Sequence, residues 1–239
     1  MTNSTRAVRE PPLHEVQHHV SSRWGGSRTA LCACLLAIIA CGEPQENANP
    51  IINPYATTVI RFTPGTGAGY GQTEMPRIVL GAPLGRDQDS GGFNVVSLGD
   101  LGEIVLGFDV EIINGPGIDF IVFENPFLSG TSTWYELGSV AVSDDGLRWF
   151  DFPCDPQMQG PPFPQCAGWQ PVSSSAGEPL VDPNTDGGDG FDLADLEGLP
   201  DNFRGRYIKI RDLDVAFDKS LRGPENHGFD LDAVGIVVR

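Results

Sequence analysis

Histidine is scarce in this chain: there are four in 239 residues, and only His227 lies beyond residue 40. That excludes a histidine-rich zinc site and leaves a Ser-His-acid triad one candidate base, for which no G-x-S-x-G elbow supplies a serine. His227 is expected instead in the turn 223–228. Basic residues are also few, with 15 Lys and Arg against 32 Asp and Glu and a net charge of −17. Four of the arginines fall in the first 40 residues, so the remainder carries 11 basic against 30 acidic residues. Such an excess disfavours nucleic acid and bare anionic membrane as partners and favours small cations, calcium above all. No apolar run approaches the roughly 20 residues that a membrane-crossing helix needs. Helical periodicity is nearly absent, whereas 30 Gly and 20 Pro imply many turns between short strands in one domain.

The apolar run that does occur, residues 30–40, follows Arg23 and Arg28 and ends in Ile38-Ile39-Ala40-Cys41. This order resembles the lipobox of bacterial lipoprotein signal peptides, in which small and aliphatic residues precede a cysteine that is diacylated before cleavage on its N-terminal side. The resemblance implies a signal peptide over residues 1–40, Cys41 as the lipidated first residue, and membrane contact through that lipid alone. Gly42 after the cysteine is consistent with the outer membrane or cell surface. The polar, Asn- and Pro-rich stretch 41–55 reads as a flexible tether, and the domain is expected over residues 56–239.

Once Cys32 and Cys34 leave with the signal and Cys41 is lipidated, Cys154 and Cys166 remain. In an oxidising space they are expected to pair, which would contribute roughly 3 kcal/mol by the chain-entropy model; the alternative is two free thiols.

Strand signals recur along the domain. Residues 57–63 are rich in β-branched types, and Val95-Val96-Ser97-Leu98 and Glu103-Ile104-Val105-Leu106-Gly107-Phe108 flank Gly99-Asp100-Leu101-Gly102 in a hairpin pattern. Asp119-Phe120-Ile121-Val122-Phe123-Glu124-Asn125 reads as a central strand with polar groups at both ends. Residues 137–142, 207–211 and 233–238 supply more strands, and Ser143-Asp144-Asp145-Gly146 a turn. Only residues 193–196 hint at a helical turn. The fold class expected is an all-β sandwich. The glycines at 65, 67, 69 and 71 are followed by Met75-Pro76, not by a helix, so they form no nucleotide cradle.

Val140-Ala141-Val142-Ser143-Asp144-Asp145-Gly146-Leu147-Arg148-Trp149 and the later Arg206-Tyr207-Ile208-Lys209-Ile210 resemble discoidin, or galactose-binding-like, jelly rolls. Gly117-Ile118-Asp119-Phe120, Val122-Phe123-Glu124-Asn125 and Gly228-Phe229-Asp230-Leu231-Asp232-Ala233-Val234 resemble bacterial cell-surface proteins of that general type. The resemblance covers about residues 56–239. It implies a jelly-roll binding fold, often for carbohydrate and often with structural calcium. The chain lacks the cysteine pair that ties the ends of many discoidin domains, which weakens any transfer of their ligand loops.

Two acidic constellations offer calcium ligands. Asp182-Pro183-Asn184-Thr185-Asp186-Gly187 has the D-x-[DN]-x-[DN]-G order of a calcium loop, but Leu193 occupies the twelfth position where an EF-hand needs Glu. Asp189 or Asp192 completes the shell in that reading; the alternative is a turn cluster that hydrogen-bonds its own backbone. In an extended chain Asp230 and Asp232 share one side about 6.6 Å apart, together with Val234 and Ile236. Asp119, Glu124 and Asn125 at the ends of a neighbouring strand would gather round the same cation, unless these are rim carboxylates near Arg206 or Arg211. Asp212 and Asp214 read as a charged loop.

Trp149 is expected in the core, while Trp134, Tyr135 and Trp169 are placed in loops where they could stack on sugars. The function these residues support is non-catalytic: a calcium-stabilised envelope lipoprotein that binds a glycan or an envelope protein. The rivals are a structural or adhesive interaction module, and a glycoside hydrolase working through a carboxylate pair.

Overall fold

A computed structural model describes residues 52–84, 92–129, 131–173, 180–216, 218–221, 224–225 and 227–239, all within one unit, Ala48–Arg239. The expected signal peptide and the lipidation site Cys41 lie outside the described residues. Among the described residues twelve strands follow in chain order. They are β1 (Thr58–Thr63), β2 (Val96–Ser97), β3 (Glu103–Ile112), β4 (Phe120–Phe123), β5 (Phe127–Ser129) and β6 (Ser132–Trp134), then β7 (Glu136–Ser143), β8 (Phe150–Asp151), β9 (Asp189–Phe191), β10 (Gly205–Ala216), β11 (Asp230–Leu231) and β12 (Ala233–Ile236). The helical turns among them are short 3-10 pieces, one of them Leu193–Asp195, where the sequence hinted at one.

A five-stranded antiparallel sheet, β1-β3-β10-β7-β8, forms one layer, and β12-β4-β9 and β11-β2 build the other side. Side-chain parity sorts the first layer, although Val105 on the outer parity of β3 is buried as well. Ile104, Leu106 and Phe108 of β3 and Ile208 and Ile210 of β10 enter the core, while Glu103, Asp109, Tyr207, Lys209 and Arg211 take the opposite parity. Strand β4 is an unbroken apolar run because both of its faces are covered. Phe120 and Val122 join the main core with Phe191, Val234 and Ile236, whereas Ile121 and Phe123 pack in a second cluster with Tyr55, Val172 and Val181. Each such burial contributes on the order of 1.5–3 kcal/mol. The all-β sandwich expected from sequence is therefore what forms.

Three details depart from the expectation. Strands β2 and β3 do not form a hairpin: β2 pairs with β11, and β3 with β1 and β10. The turn between them carries Leu101 at φ 62° and Gly99 at φ 78°, and it is tied through the Leu101 N–H to Asp212 Oδ1 at 2.8 Å, which sends β3 into the other sheet. Asp212 is thus no charged loop residue. It is fully buried where the register of β10 shifts, and it also accepts the N–H groups of Asp214 and Phe229 at 2.8 and 2.9 Å. Third, order extends into the expected tether: Tyr55 pairs with Gly235 and is 6% exposed, and the Ile236 N–H donates to the Pro54 carbonyl at 2.8 Å.

The Cys154–Cys166 disulfide is formed. It borders a third cluster, Leu137, Phe163 and Cys166, against which Tyr135 and Trp169 pack. Tyr135 lies 4.8 Å from the Phe163 ring and Trp169 6.5 Å from it. Both are half-buried loop anchors, and Trp134 is half-buried in the hairpin opposite Phe127. Trp149, expected in the core, is only partly buried, with Lys209 Nζ 4.7 Å above its ring.

Candidate cation site

The calcium loop expected at residues 182–187 is an acceptor turn for its own backbone. Asp182 Oδ1 takes both the N–H and the side-chain amide of Asn184 at 2.9 Å, while Asp186 Oδ2 takes the Asp182 N–H at 2.8 Å. Asp192 caps the 3-10 turn by accepting from the Ala194 N–H. These oxygens are held by local donors because the Gly187 and Gly188 bends fold the segment back on itself, at φ 68° and 73°.

The second expected cluster holds only in part: Glu124 stays beside Asp230, whose N–H it accepts at 3.2 Å, while the other members find partners elsewhere. Asp119 and Glu124 sit at opposite ends of β4, and Asp119 is neutralised where it stands: Arg239 Nη1 and the Gly115 N–H reach Oδ1 at 2.9 Å each, and the Leu193 N–H reaches Oδ2 at 2.9 Å. Asn125 clamps the Gly92 backbone through both its amide nitrogen and its oxygen. The strand assignment breaks at Asp232, and Asp230 and Asp232 have different partners. Asp230 accepts from Ser97 Oγ, whereas Asp232 accepts the Leu84 N–H at 3.0–3.2 Å. Burial pushes the Asp232 carboxyl up to about 7.

What the fold assembles instead takes one residue from each expected cluster. Glu124 follows β4, and Asp189 opens β9, paired with Val122 two residues before it. Their side chains are 4% and 2% exposed. Each carboxylate has one oxygen supplied with donors: Glu124 Oε1 by the Asp230 N–H at 3.2 Å, and Asp189 Oδ2 by the Gly168 and Trp169 N–H groups at 2.6 and 3.2 Å. The other oxygen of each, Glu124 Oε2 and Asp189 Oδ1, is buried without a hydrogen-bond partner. An orphaned carboxylate oxygen in a low-dielectric site is costly unless it is protonated or meets a cation. Glu124 is held well above the usual carboxylate range by burial first, then by the charges of Asp230, Glu136 and, more weakly, Asp189. Burial likewise raises Asp189 to about 7, against the backbone donors of Gly168, Trp169 and Gln170 and the Gln170 side chain, which lower it.

No protein-family model matches the chain, and no curated protein matches it.

Glu136, the first residue of β7 and 5% exposed, was missed in the sequence reading. Nothing local marks it; its charge acts on Glu124, and the bridge from Gly138 to Ala167 runs beside Gly168, whose N–H reaches Asp189. Gly168 permits this approach. It adopts φ +93°, and a Cβ there would stand 2.0 Å from the Glu136 carbonyl oxygen.

Among the described residues, no three His, Cys, Asp or Glu side chains converge tightly enough to enclose a metal by themselves. An ion held at either orphaned oxygen would have to complete its shell with backbone carbonyls and water. That suits calcium, which accepts 6–8 oxygens in flexible geometry, and not zinc, which wants a closed nitrogen or sulfur tetrahedron. The lone histidine of the described residues lies elsewhere, with His227 Nδ1 3.2 Å from Asp100 Oδ2.

Proposed function

We propose that this chain is a non-catalytic cell-envelope lipoprotein, anchored through Cys41, whose calcium-stabilised sandwich binds a glycan or a surface partner. In this reading the sandwich is a jelly roll of the discoidin or galactose-binding-like type. The observation that carries the cation is the pair of orphaned, buried oxygens on Glu124 and Asp189. Calcium would let both carboxylates ionise where burial otherwise favours the protonated forms. The Cys154–Cys166 bridge supports an oxidising compartment, and the lipobox pattern supports the anchor.

The hydrolase reading loses ground on geometry. A catalytic acid must touch the scissile bond, and the carboxyls with raised pKa at this site are 4% and 2% exposed. Burial shared with orphaned oxygens favours a structural ion over a proton donor.

Thermal unfolding in calcium and in EDTA tests the cation. An ion at about 100 times its Kd adds about 2.7 kcal/mol, worth about 5–10 °C in a domain of this size. That increment should vanish in Glu124→Gln. Coincident melts of the unaltered protein in calcium and EDTA reject the cation.

A further inference from the structure

On the outer face of the five-stranded sheet, cations and anions balance, although the chain as a whole carries 32 acidic against 15 basic residues. Arg61 of β1 and Arg204, Arg206, Lys209 and Arg211 on or beside β10 gather there. They face Glu103, Asp109 and Glu111 of β3 and Asp145 and Asp151 around β8. Arg61 pairs with Glu103 at 2.5 Å, and Arg206 and Arg204 share Glu111 at 3.1 and 3.8 Å. Lys209 reaches Asp151 at 4.0 Å.

Two depressions adjoin on this face. One, of about 370 Å³, is lined by Ile60, Arg61, Val105, Asp145, Trp149 and Tyr207. The other, of about 360 Å³, shares Ile60 and Tyr207 and adds Thr57, Thr58, Asp109 and Arg206. Each lies within the roughly 300–1,000 Å³ range of small-ligand sites. Ile60 is 52% exposed, an apolar side chain held out on the solvent side where β1 shifts register between Val59 and Arg61. Lys209 over the Trp149 ring braces the indole against the sheet.

We infer that this trough is the binding site for a neutral saccharide chain. The inference rests on the glycan branch of the proposed function and names its site. A pyranose presents an apolar C–H face and a rim of hydroxyls that both donate and accept. Trp149, Tyr207 and Ile60 supply apolar surface, the guanidiniums of Arg61 and Arg206 donate, and the carboxylates of Asp109 and Asp145 accept. A face of balanced charge selects no ion, and the acidic remainder of the chain repels polyanions. The trough takes no group from the Glu124–Asp189 site, so binding here does not require the cation.

Affinity electrophoresis of the full chain tests this, through gels containing laminarin, soluble starch, galactomannan or polygalacturonate, each run in calcium and in EDTA. Retardation by at least one neutral polysaccharide is expected in both buffers. Arg61→Ala, Arg206→Ala and Trp149→Ala should each weaken it about tenfold or more, with Trp149→Phe restoring most of the loss. The arginine variants alter exposed side chains, so their melting temperatures should stay unchanged and separate lost binding from lost fold. Retardation by polygalacturonate alone, by no gel, or undiminished in the three alanine variants overturns the inference. A calcium-dependent melt without saccharide binding would overturn the trough and leave the cation standing; binding without a calcium effect on the melt would do the reverse.

Discussion

Asp189→Asn separates a buried charge from the fold that holds it. The folded-state pKa of Asp189 is raised from 3.8 to about 7 by burial. Between those values the folded state binds more protons than the unfolded one, so in EDTA stability should fall as pH rises from about 4 to about 7 and level off above. A shift of this size corresponds to a few kcal/mol, with about 4 kcal/mol as an upper figure at 1.36 kcal/mol per unit. Asparagine keeps an oxygen for the Gly168 and Trp169 N–H groups and carries no charge to desolvate. In EDTA at pH 8 the variant should therefore match or exceed the unaltered protein, and its decline between pH 4 and 7 should be shallower. Asp232, also raised to about 7, and Glu124 retain their share of the slope. In calcium the ranking should invert, because the cation stabilises the carboxylate and not the amide. Urea unfolding at pH 5, 7 and 8.5, with and without calcium, reads both effects. A slope in EDTA identical in the two proteins would refute the assignment of a desolvated charge to Asp189, and a variant less stable than the unaltered protein in EDTA at pH 8 would show that the carboxylate stabilises the fold without an ion.

Other perturbations act away from that pair. Cys41→Ser should release the protein from membranes without detergent, as read by fractionation; continued membrane association would sink the lipid anchor. Replacing Cys154 and Cys166 together by Ser should lower stability by roughly 3 kcal/mol in urea, and an unchanged midpoint would show that Phe163 and Trp169 hold that loop unaided. Arg239→Ala should cost about 2 kcal/mol, below the value for a fully buried pair because the arginine side chain is 34% exposed, since it strips the buried Asp119 of its cationic partner.

Local chemistry in the chain carried a good deal of this. Alternation over residues 207–212 of β10 marks its buried face, and the unbroken apolar run of β4 marks a strand covered on both sides. Gly146, at φ 72°, turns β7 toward β8 where Ser143-Asp144-Asp145-Gly146 predicts a turn. Side-chain parity in a strand is a property of adjacent residues, so it is legible without the fold. Pairing is not: the hairpin signal around residues 99–102 failed because the turn is held by Asp212, 111 positions from Leu101.

The acidic residues show the same division more sharply. Sequence order grouped Asp189 with Asp182 and Asp186, and the expected strand pairing grouped Asp119, Glu124 and Asn125 with Asp230 and Asp232; of these only Glu124 and Asp230 meet. Tertiary structure satisfied most of those groups with nearby N–H donors or with Arg239, and left Glu124 and Asp189 facing burial with one unsupplied oxygen each. Glu136 and the trough beside Trp149 and Tyr207 likewise exist only through strand order. The residues by themselves determined that the domain is an all-β sandwich with paired cysteines available and many carboxylates. Which carboxylates are stripped of water, and which aromatics remain at the surface, only the packing of distant strands decided, because desolvation depends on what covers a group and not on what precedes it.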